Sequence, residues 1–299
     1  MRVMVTGADG FVGQHVVVSL KRRGHEVICV GGPQSGYSLA VDLTKKKAVR
    51  NMISMIHPEV VLHLAAQSSV HQSWEDPSTT MLVNTVGTLN LWAAAANIGA
   101  RKLIYISSSE VYGTSSVTER LSEDAPLNPS NPYGVSKATA EWLLQQLTQE
   151  KTIDLTILRP FNHIGPGQGE SFAIMNFARQ LRAIENGGDP VIHVGNLAAI
   201  RDFLDVRDVA EAYCLAVETD MNGIYNICSG IPRSIGSILH DLMRLVSVTN
   251  IEIQEDKSRL RPTDLPALVG NPNRFMSKTG WIPTRGWHDT LKDILKILE

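Results

Sequence analysis

A short apolar strand, Val3-Met4-Val5, runs directly into Thr6-Gly7-Ala8-Asp9-Gly10-Phe11-Val12-Gly13 and then into an amphipathic stretch. This G-x-x-G-x-x-G turn between a strand and a helix limits what the chain can fold into. Glycines there permit a tight turn and let the backbone approach a pyrophosphate, whose charge then faces the free N–H groups and positive dipole end of the helix. A glycine triplet in an arbitrary loop is usually only a turn, so its position after a strand gives the signal its weight.

The same alternation continues. Glu26 to Val30, Val60 to Leu64, Leu103 to Ile106 and Leu155 to Leu158 read as strands. Amphipathic stretches at Val12 to Arg23, Thr44 to Ile56, Ser78 to Ile98 and Tyr133 to Glu150 separate or follow them, each long enough to cross back over a parallel sheet. The expected class is α/β, a doubly wound Rossmann-type parallel sheet with a smaller C-terminal substrate lobe. Past Pro160 the rhythm breaks, but Val206 to Glu218 reads as a helix and Ile224 to Ile227 as a strand that returns to the first sheet. The expected division is therefore 1–159 with 197–228 for the dinucleotide domain, and 160–196 with 229–299 for the lobe, with the ligand in the cleft between them.

Bulk properties exclude several classes. At 299 residues, 43% hydrophobic and 19% charged, the chain can form an ordinary globular core. A net charge of -2, with basic runs no longer than Lys45-Lys46-Lys47, argues against a nucleic-acid partner. Cys29, Cys214 and Cys228 are too far apart for a zinc site or a disulfide framework, so no metal is expected and the thiols are read as buried in a reducing compartment. The apolar run Leu89 to Ala96 is cut by Asn97 and Gly99, which argues against a membrane span, and no signal-peptide layout precedes the first strand. The cytoplasm is the expected location.

Two features bear on the cofactor. An acid after the second strand would bind a ribose 2′-hydroxyl and a basic residue would accept a 2′-phosphate, but Gly31-Gly32-Pro33-Gln34 supplies neither. NADP(H) is therefore the preferred expectation, with NAD(H) as the alternative. Asp42, before Leu43, is read either as a contact to the adenine amino group or as the cap of a helix beginning at Thr44.

Tyr133 and Lys137 lie one helical turn apart, on one face. An ammonium beside a phenol, with a cationic nicotinamide nearby, favours phenolate, so the Tyr133 pKa is expected to fall toward working pH and make it an acid–base. The pair alone is a weak signal. It gains weight because Ser107-Ser108-Ser109-Glu110 follows the fourth strand, at the carboxyl edge where such sheets place ligands.

The glycine turn, Leu62-His63-Leu64-Ala65-Ala66, the serine run with Glu110, Tyr133-Gly134-Val135-Ser136-Lys137 and Arg159-Pro160-Phe161-Asn162 occur in the order found in extended short-chain dehydrogenases that modify nucleotide sugars, which the chain resembles over nearly its whole length. Gly195-Asn196-Leu197, Arg201-Asp202-Phe203 and Leu260-Arg261-Pro262-Thr263-Asp264 look like the branch acting on GDP-mannose derivatives. The resemblance implies a catalytic triad of Ser108, Tyr133 and Lys137. It implies a cofactor site of Gly7, Gly10, Phe11, Val12, Gly13, Asp42, Leu43, Leu64, Ala65, Ala66 and His163 with Tyr133 and Lys137. It implies a GDP-linked sugar held by Ser108, Glu110, Asn162, Asn176, Arg201 and Arg261, where guanidinium groups pair with phosphate oxygens. Taken singly, Arg201 or Arg261 is more often a surface charge, His163 a structural histidine, and Asp208 a helix cap or ion-pair partner.

The implied reaction is NAD(P)H-dependent reduction of a C4 keto group on a 6-deoxy sugar. A glutamate at the place of Glu110 acts in the dehydratases of this branch and is retained in reductases, so dehydration, epimerisation or reduction of another nucleotide sugar stay open; the short chain favours the reductase. A dinucleotide-sensing protein without turnover is the non-enzymatic alternative, against which the intact triad argues. Relatives dimerise through the helices corresponding to Ser78 to Ile98 and Tyr133 to Glu150, which implies a homodimer, although Leu89, Trp92, Ala93 and Trp142 read equally as core.

Overall fold

The computed structural model describes residues 1–37, 39–113, 119–150, 153–170, 172–259 and 265–298. The first half alternates β1 (Arg2–Thr6), α1 (Phe11–Arg22), β2 (Glu26–Val30), α2 (Lys46–Ile56) and β3 (Val60–His63). Then come α3 (Val70–Glu75), α4 (Pro77–Met81), a π-helical turn at Leu82–Val86, α5 (Gly87–Asn97), β4 (Lys102–Ile106), α6 (Pro132–Thr148) and β5 (Asp154–Pro160). The remainder is β6 (Asn162–Ile164), α7 (Ala173–Glu185), β7 (Val191–Val194), β8 (Ile200–Asp205), α8 (Val206–Glu218), β9 (Gly223–Ile227), β10 (Pro232–Ser234), α9 (Ile235–Met243), β11 (Glu252–Glu255), β12 (Ala267–Leu268), α10 (Asn273–Thr279) and α11 (Trp287–Lys296).

Six strands form one parallel sheet in the order β2-β1-β3-β4-β5-β9. Its inner strands are near-continuous apolar runs because both faces are covered. On one face, α1, α8 and α10 bury Val16, Leu20, Val209, Tyr213 and Phe275 against Val3, Val5 and Leu62. On the other, α2, α5 and α6 bury Ile53, Leu91, Trp92 and Leu144 against Met4, Val61 and Leu103. The chain winds outward in both directions from β1 and β3, so a crevice opens at their carboxyl ends, where open α/β sheets bind ligands. Leu39–Val41 adds a parallel bridge from Ala40 to Gly31 beyond β2.

A second core forms where α7, α9 and α11 bury Phe177, Leu181, Leu239, Leu242 and Leu291 around Ile192 and Phe203; β8 joins it from within 197–228, while α10, from 229–299, packs on the main sheet, so the two bodies interleave across the division expected from the sequence. Strand β8 lies between β10, antiparallel, and β12, parallel, and also pairs with β6; β11 pairs with β7. Among the described residues no helix is long and apolar enough to cross a membrane.

Two expected helices differ in the structure. Helix α2 begins at Lys46, because Asp42 takes both the Thr44 N–H at 2.9 Å and its hydroxyl at 2.7 Å in a turn that precedes the helix. The single helix expected over Ser78 to Ile98 starts at Pro77, where Asp76 caps it through the Thr79 N–H at 2.9 Å, and is interrupted by the π turn. That widened turn brings Asn84 and Thr85 inward: Asn84 Nδ2 donates to Ser136 Oγ at 2.9 Å and Thr85 Oγ1 to the Ser136 carbonyl at 3.0 Å. The insertion thus fastens α5 to the helix that carries Tyr133 and Lys137, in keeping with the occurrence of π turns near functional sites.

Candidate active site

The glycine turn meets the demands of a pyrophosphate cradle. Gly7 sits at φ +68°, and a Cβ on it would lie 2.8 Å from the Ala65 nitrogen. A Cβ on Gly13 would lie 2.1 Å from the Gly7 carbonyl oxygen, so only glycine lets α1 start this close to β1. Gly10 is the N-cap of α1 and supplies no side-chain acceptor, which leaves the first N–H groups of the helix to an anion. These residues fit a bound dinucleotide. We expect Gly13→Ala to abolish dinucleotide binding in a fluorescence titration and to cost about 1–3 kcal/mol in urea unfolding. Gly169→Ala, where a Cβ meets nothing within 4 Å, should leave both unchanged.

Phe11, at the head of α1, stacks on His163 with centroids 6.1 Å apart and planes 11° apart, and meets His15 edge-on at 5.9 Å. His163 Nδ1 lies 3.0 Å from the Phe161 carbonyl, and burial holds its imidazole below the usual range. A neutral, tethered ring is a brace between β6 and the cofactor turn. Leu64, Ala65 and Ala66 follow β3 as a half-buried wall, with the Ala65 N–H on Thr6 Oγ1 at 3.3 Å.

At the end of β4, Ser108 is extended and caps a short 3-10 turn, its Oγ accepting the Glu110 N–H at 3.2 Å. Helix α6 starts with Asn131 as its cap, through the Gly134 N–H at 2.8 Å, and with Pro132 in the first position. This places Tyr133 in the first turn, with its phenol close enough to Ser108 for the hydroxyl to favour the phenolate. Lys137, one turn on, donates to the Ile106 carbonyl at 2.8 Å, with Nζ 5.0 Å from the Tyr105 ring centroid. The three triad side chains are therefore together, all buried, at the carboxyl edge of the sheet.

Their electrostatics differ from the expectation in one respect. Burial pushes the Tyr133 phenol up to about 12, partly offset by the Ser108 hydroxyl and reinforced by the Glu110 charge. Lys137 is not among the groups that set it: its Nζ donates to the Ile106 carbonyl, and burial pushes the ammonium itself down to about 7 against the pull of Glu141. At neutral pH Tyr133 is thus a protonated phenol, the form that can give a proton to a developing alkoxide.

Around these three lie residues to which the motifs gave no role. His63 takes a hydrogen bond from Thr6 Oγ1 at Nδ1, 2.7 Å, and donates from Nε2 to Thr88 Oγ1 at 2.9 Å; Thr88 in turn donates to the Asn84 carbonyl at 2.6 Å. That order of donors needs a neutral imidazole, and burial pushes His63 down to about 3. Arg159 pairs with Glu141 through Nε at 3.0 Å and Nη2 at 2.6 Å, the two side chains being 2% and 0% exposed. Its Nη1 donates to the Tyr112 hydroxyl at 3.0 Å and the Glu123 carbonyl at 3.1 Å. The ion pair fixes α6 to β5. Its sequence signal was the four-residue step from Lys137 to Glu141 followed by an arginine in an apolar strand.

Of the residues expected to hold the substrate, Glu110 accepts from Asn131 Nδ2 at 2.8 Å and stands beside Tyr133, whereas Asn162 is exposed on β6. Asn176 on α7 accepts from Arg259 Nη1 at 2.5 Å and Gln180 Nε2 at 2.8 Å, which adds Arg259 as a basic group that the sequence reading missed. Arg201 is only 5% exposed, and its Nη1 donates to the Ile200 and Leu265 carbonyls at 2.8 and 2.7 Å. Arg261 lies outside the described residues. Asp208 accepts the Thr284 and Arg285 N–H groups at 3.2 and 3.0 Å, so it ties the segment before α11 to α8.

Residues 3–228 match the NAD dependent epimerase/dehydratase family. The chain is 34% identical over 298 residues to the GDP-6-deoxy-D-mannose reductase of Pseudomonas aeruginosa, a match covering 98% of this chain and 96% of that one. It is 31% identical over 284 residues, 94% of this chain and 92% of the relative, to the GDP-6-deoxy-D-talose 4-dehydrogenase of Aggregatibacter actinomycetemcomitans. The solved structure of RMD from Pseudomonas aeruginosa complexed with NADPH superimposes with a TM-score of 0.88 at 32% identity, covering 100% of this chain and 99% of that one.

Proposed function

This chain belongs to the NAD dependent epimerase/dehydratase family, and from that premise we propose that it reduces the C4 keto group of GDP-4-keto-6-deoxy-D-mannose to GDP-D-rhamnose with NAD(P)H. The observation that carries the reading is the buried Ser108–Tyr133 pair, with Lys137 one turn below, at the edge of the sheet beside the glycine turn. End-to-end similarity to a GDP-6-deoxy-D-mannose reductase supplies the substrate class.

When bound, the nicotinamide supplies a hydride to C4. Ser108 hydrogen-bonds the carbonyl oxygen and polarises it, and Tyr133, protonated at neutral pH, passes its proton to that oxygen as it becomes a hydroxyl. In either protonation state Lys137 keeps at least one N–H donor beyond the one that the Ile106 carbonyl takes, so it can hold the nicotinamide ribose. Asn162, Asn176 and Arg201, joined by Arg259, are proposed to line the diphosphate and base, and Arg261 is assigned the same partner from the resemblance alone.

Glu110 beside Tyr133 keeps a second reading in view, since a 4,6-dehydratase of this branch would use a glutamate there. Two assays separate them. Loss of NADPH or NADH in step with the keto sugar supports the reductase; consumption of GDP-mannose with no net cofactor change overturns it. Product NMR then distinguishes GDP-D-rhamnose from its C4 epimer.

The assembly is proposed to be a cytoplasmic homodimer. Trp92, one of the residues read as either contact or core, is 5% exposed and belongs to the core, whereas Trp142 on α6 is 50% exposed. Leu82, Val86, Val135 and Leu143 are likewise exposed on the same two helical segments, a face that a second copy would cover. Trp142→Glu should halve the mass seen by sedimentation; an unchanged mass would contradict the dimer face.

A further inference from the structure

We propose that Asp9, reaching from the glycine turn, and Ser35, reaching back from the loop after β2, read the 2′ position of the adenosine ribose in place of the side chain that Gly31 lacks. The proposal rests on the dinucleotide reading of the glycine turn. A carboxylate at the end of the second strand is how such sheets commonly bind the 2′-hydroxyl, and Gly31-Gly32-Pro33-Gln34 offers none. The fold brings one from elsewhere.

Strand β1 pairs with β2 so that Thr6 faces Val30, and the Ala8 N–H reaches the Val30 carbonyl at 3.4 Å. Gly31 therefore stands beside the glycine turn. Its backbone is held on the other side by Leu39 and Val41, with hydrogen bonds of 3.0 and 3.1 Å. A Cβ on Gly31 would lie 1.9 Å from Ser35 Oγ and 3.2 Å from Asp9 Oδ2. The serine hydroxymethyl thus fills the space of a side chain at 31, and the Asp9 carboxylate stands within reach of where an aspartate side chain at 31 would carry its own. Gly31 has to be glycine because its place is taken.

Asp9 is exposed on its other side and, among the described residues, forms no ion pair. Tyr37 closes the loop, its hydroxyl on the Ala8 carbonyl at 3.4 Å, and the Asp9 charge contributes to raising that phenol, as expected if the carboxylate turns toward the loop. A purely local role is the competing account: an acid just before α1 would stabilise the helix dipole, and a serine suits a turn. The local account has no need for both groups to meet at the vacant Gly31 position.

The chemistry follows. A carboxylate accepts a hydrogen bond from a 2′-hydroxyl and repels a 2′-phosphate, whereas an asparagine of the same size removes the repulsion and adds a donor. We expect Asp9→Asn to shift the ratio of NADPH to NADH dissociation constants by at least about fivefold in favour of NADPH, measured by nicotinamide fluorescence. The same shift should appear when adenosine 2′,5′-bisphosphate and AMP compete for the site, a readout independent of turnover. Ser35→Ala should weaken NADH binding with thermal stability unchanged. A ratio unchanged in both nucleotide pairs, or a uniform loss with both, would overturn the proposal and leave Asp9 as a helix-dipole residue. Binding of neither nucleotide by the unmodified protein would overturn it together with the dinucleotide reading. Nucleotide discrimination without keto-sugar turnover would sustain it and sink only the reductase assignment.

Discussion

Tyr133→Phe should lower kcat for keto-sugar reduction by about 10²–10⁴-fold, with the dinucleotide dissociation constant nearly unchanged. The substitution removes a single oxygen from a buried ring and keeps its volume, so α6 and its cap at Asn131 should hold. It takes away the proton donor beside Ser108. Because Lys137 is anchored independently on the Ile106 carbonyl, the nicotinamide side of the site should persist. Parallel losses in kcat and kcat/KM would identify an interaction made in the transition state. A near-normal rate would remove Tyr133 from the chemistry.

The second large effect is on stability. Glu141→Ala leaves the Arg159 guanidinium buried without its carboxylate, since the two side chains are almost fully excluded from solvent. Breaking a buried pair from one side costs about 3–5 kcal/mol, well beyond an exposed pair such as Arg2–Glu26. The Tyr112 hydroxyl and Glu123 carbonyl would still accept from Arg159, but neither carries the compensating charge. Urea unfolding reads the loss directly. Replacing both partners with apolar residues, Glu141→Leu with Arg159→Met, should recover most of it, because no charge is then left buried. If the single substitution costs no more than a surface pair, the ion pair does not anchor α6.

How much of this was legible in the sequence depended on how local each signal was. The bounds of β2 and α8 agree with the expected Glu26 to Val30 and Val206 to Glu218 because apolar periodicity and flanking residues define them within one segment. The closeness of Ser108, Tyr133 and Lys137 was legible for the same reason, each sitting in a short motif at a strand end or helix start. The π turn was not, because one widened turn hardly disturbs the apolar period of Ser78 to Ile98. Short strands such as β6, β10 and β12 take their partners from distant segments, and no local pattern announces them.

Side-chain destinations were the least legible. Trp92 and Trp142 look alike in sequence, and only the rotation of each helix against its neighbours decides that one is core and the other surface. The pull expected of Lys137 on Tyr133 assumed that neighbours on a helical face interact chiefly with each other. The Ile106 carbonyl competes for the ammonium, and desolvation then sets both groups. The residues after β2 suggested that no carboxylate faces the adenosine ribose, because nothing in the order of residues shows Asp9 folding back to Gly31.

The most direct test of the central claim follows the hydride. The unmodified enzyme is given GDP-4-keto-6-deoxy-D-mannose and nicotinamide dinucleotide deuterated at the transferring carbon, and the sugar product is read by NMR and mass spectrometry. Deuterium confined to C4 of the hexose is the predicted result. A product without deuterium at C4, or an intact keto sugar beside unconsumed cofactor, would contradict the account.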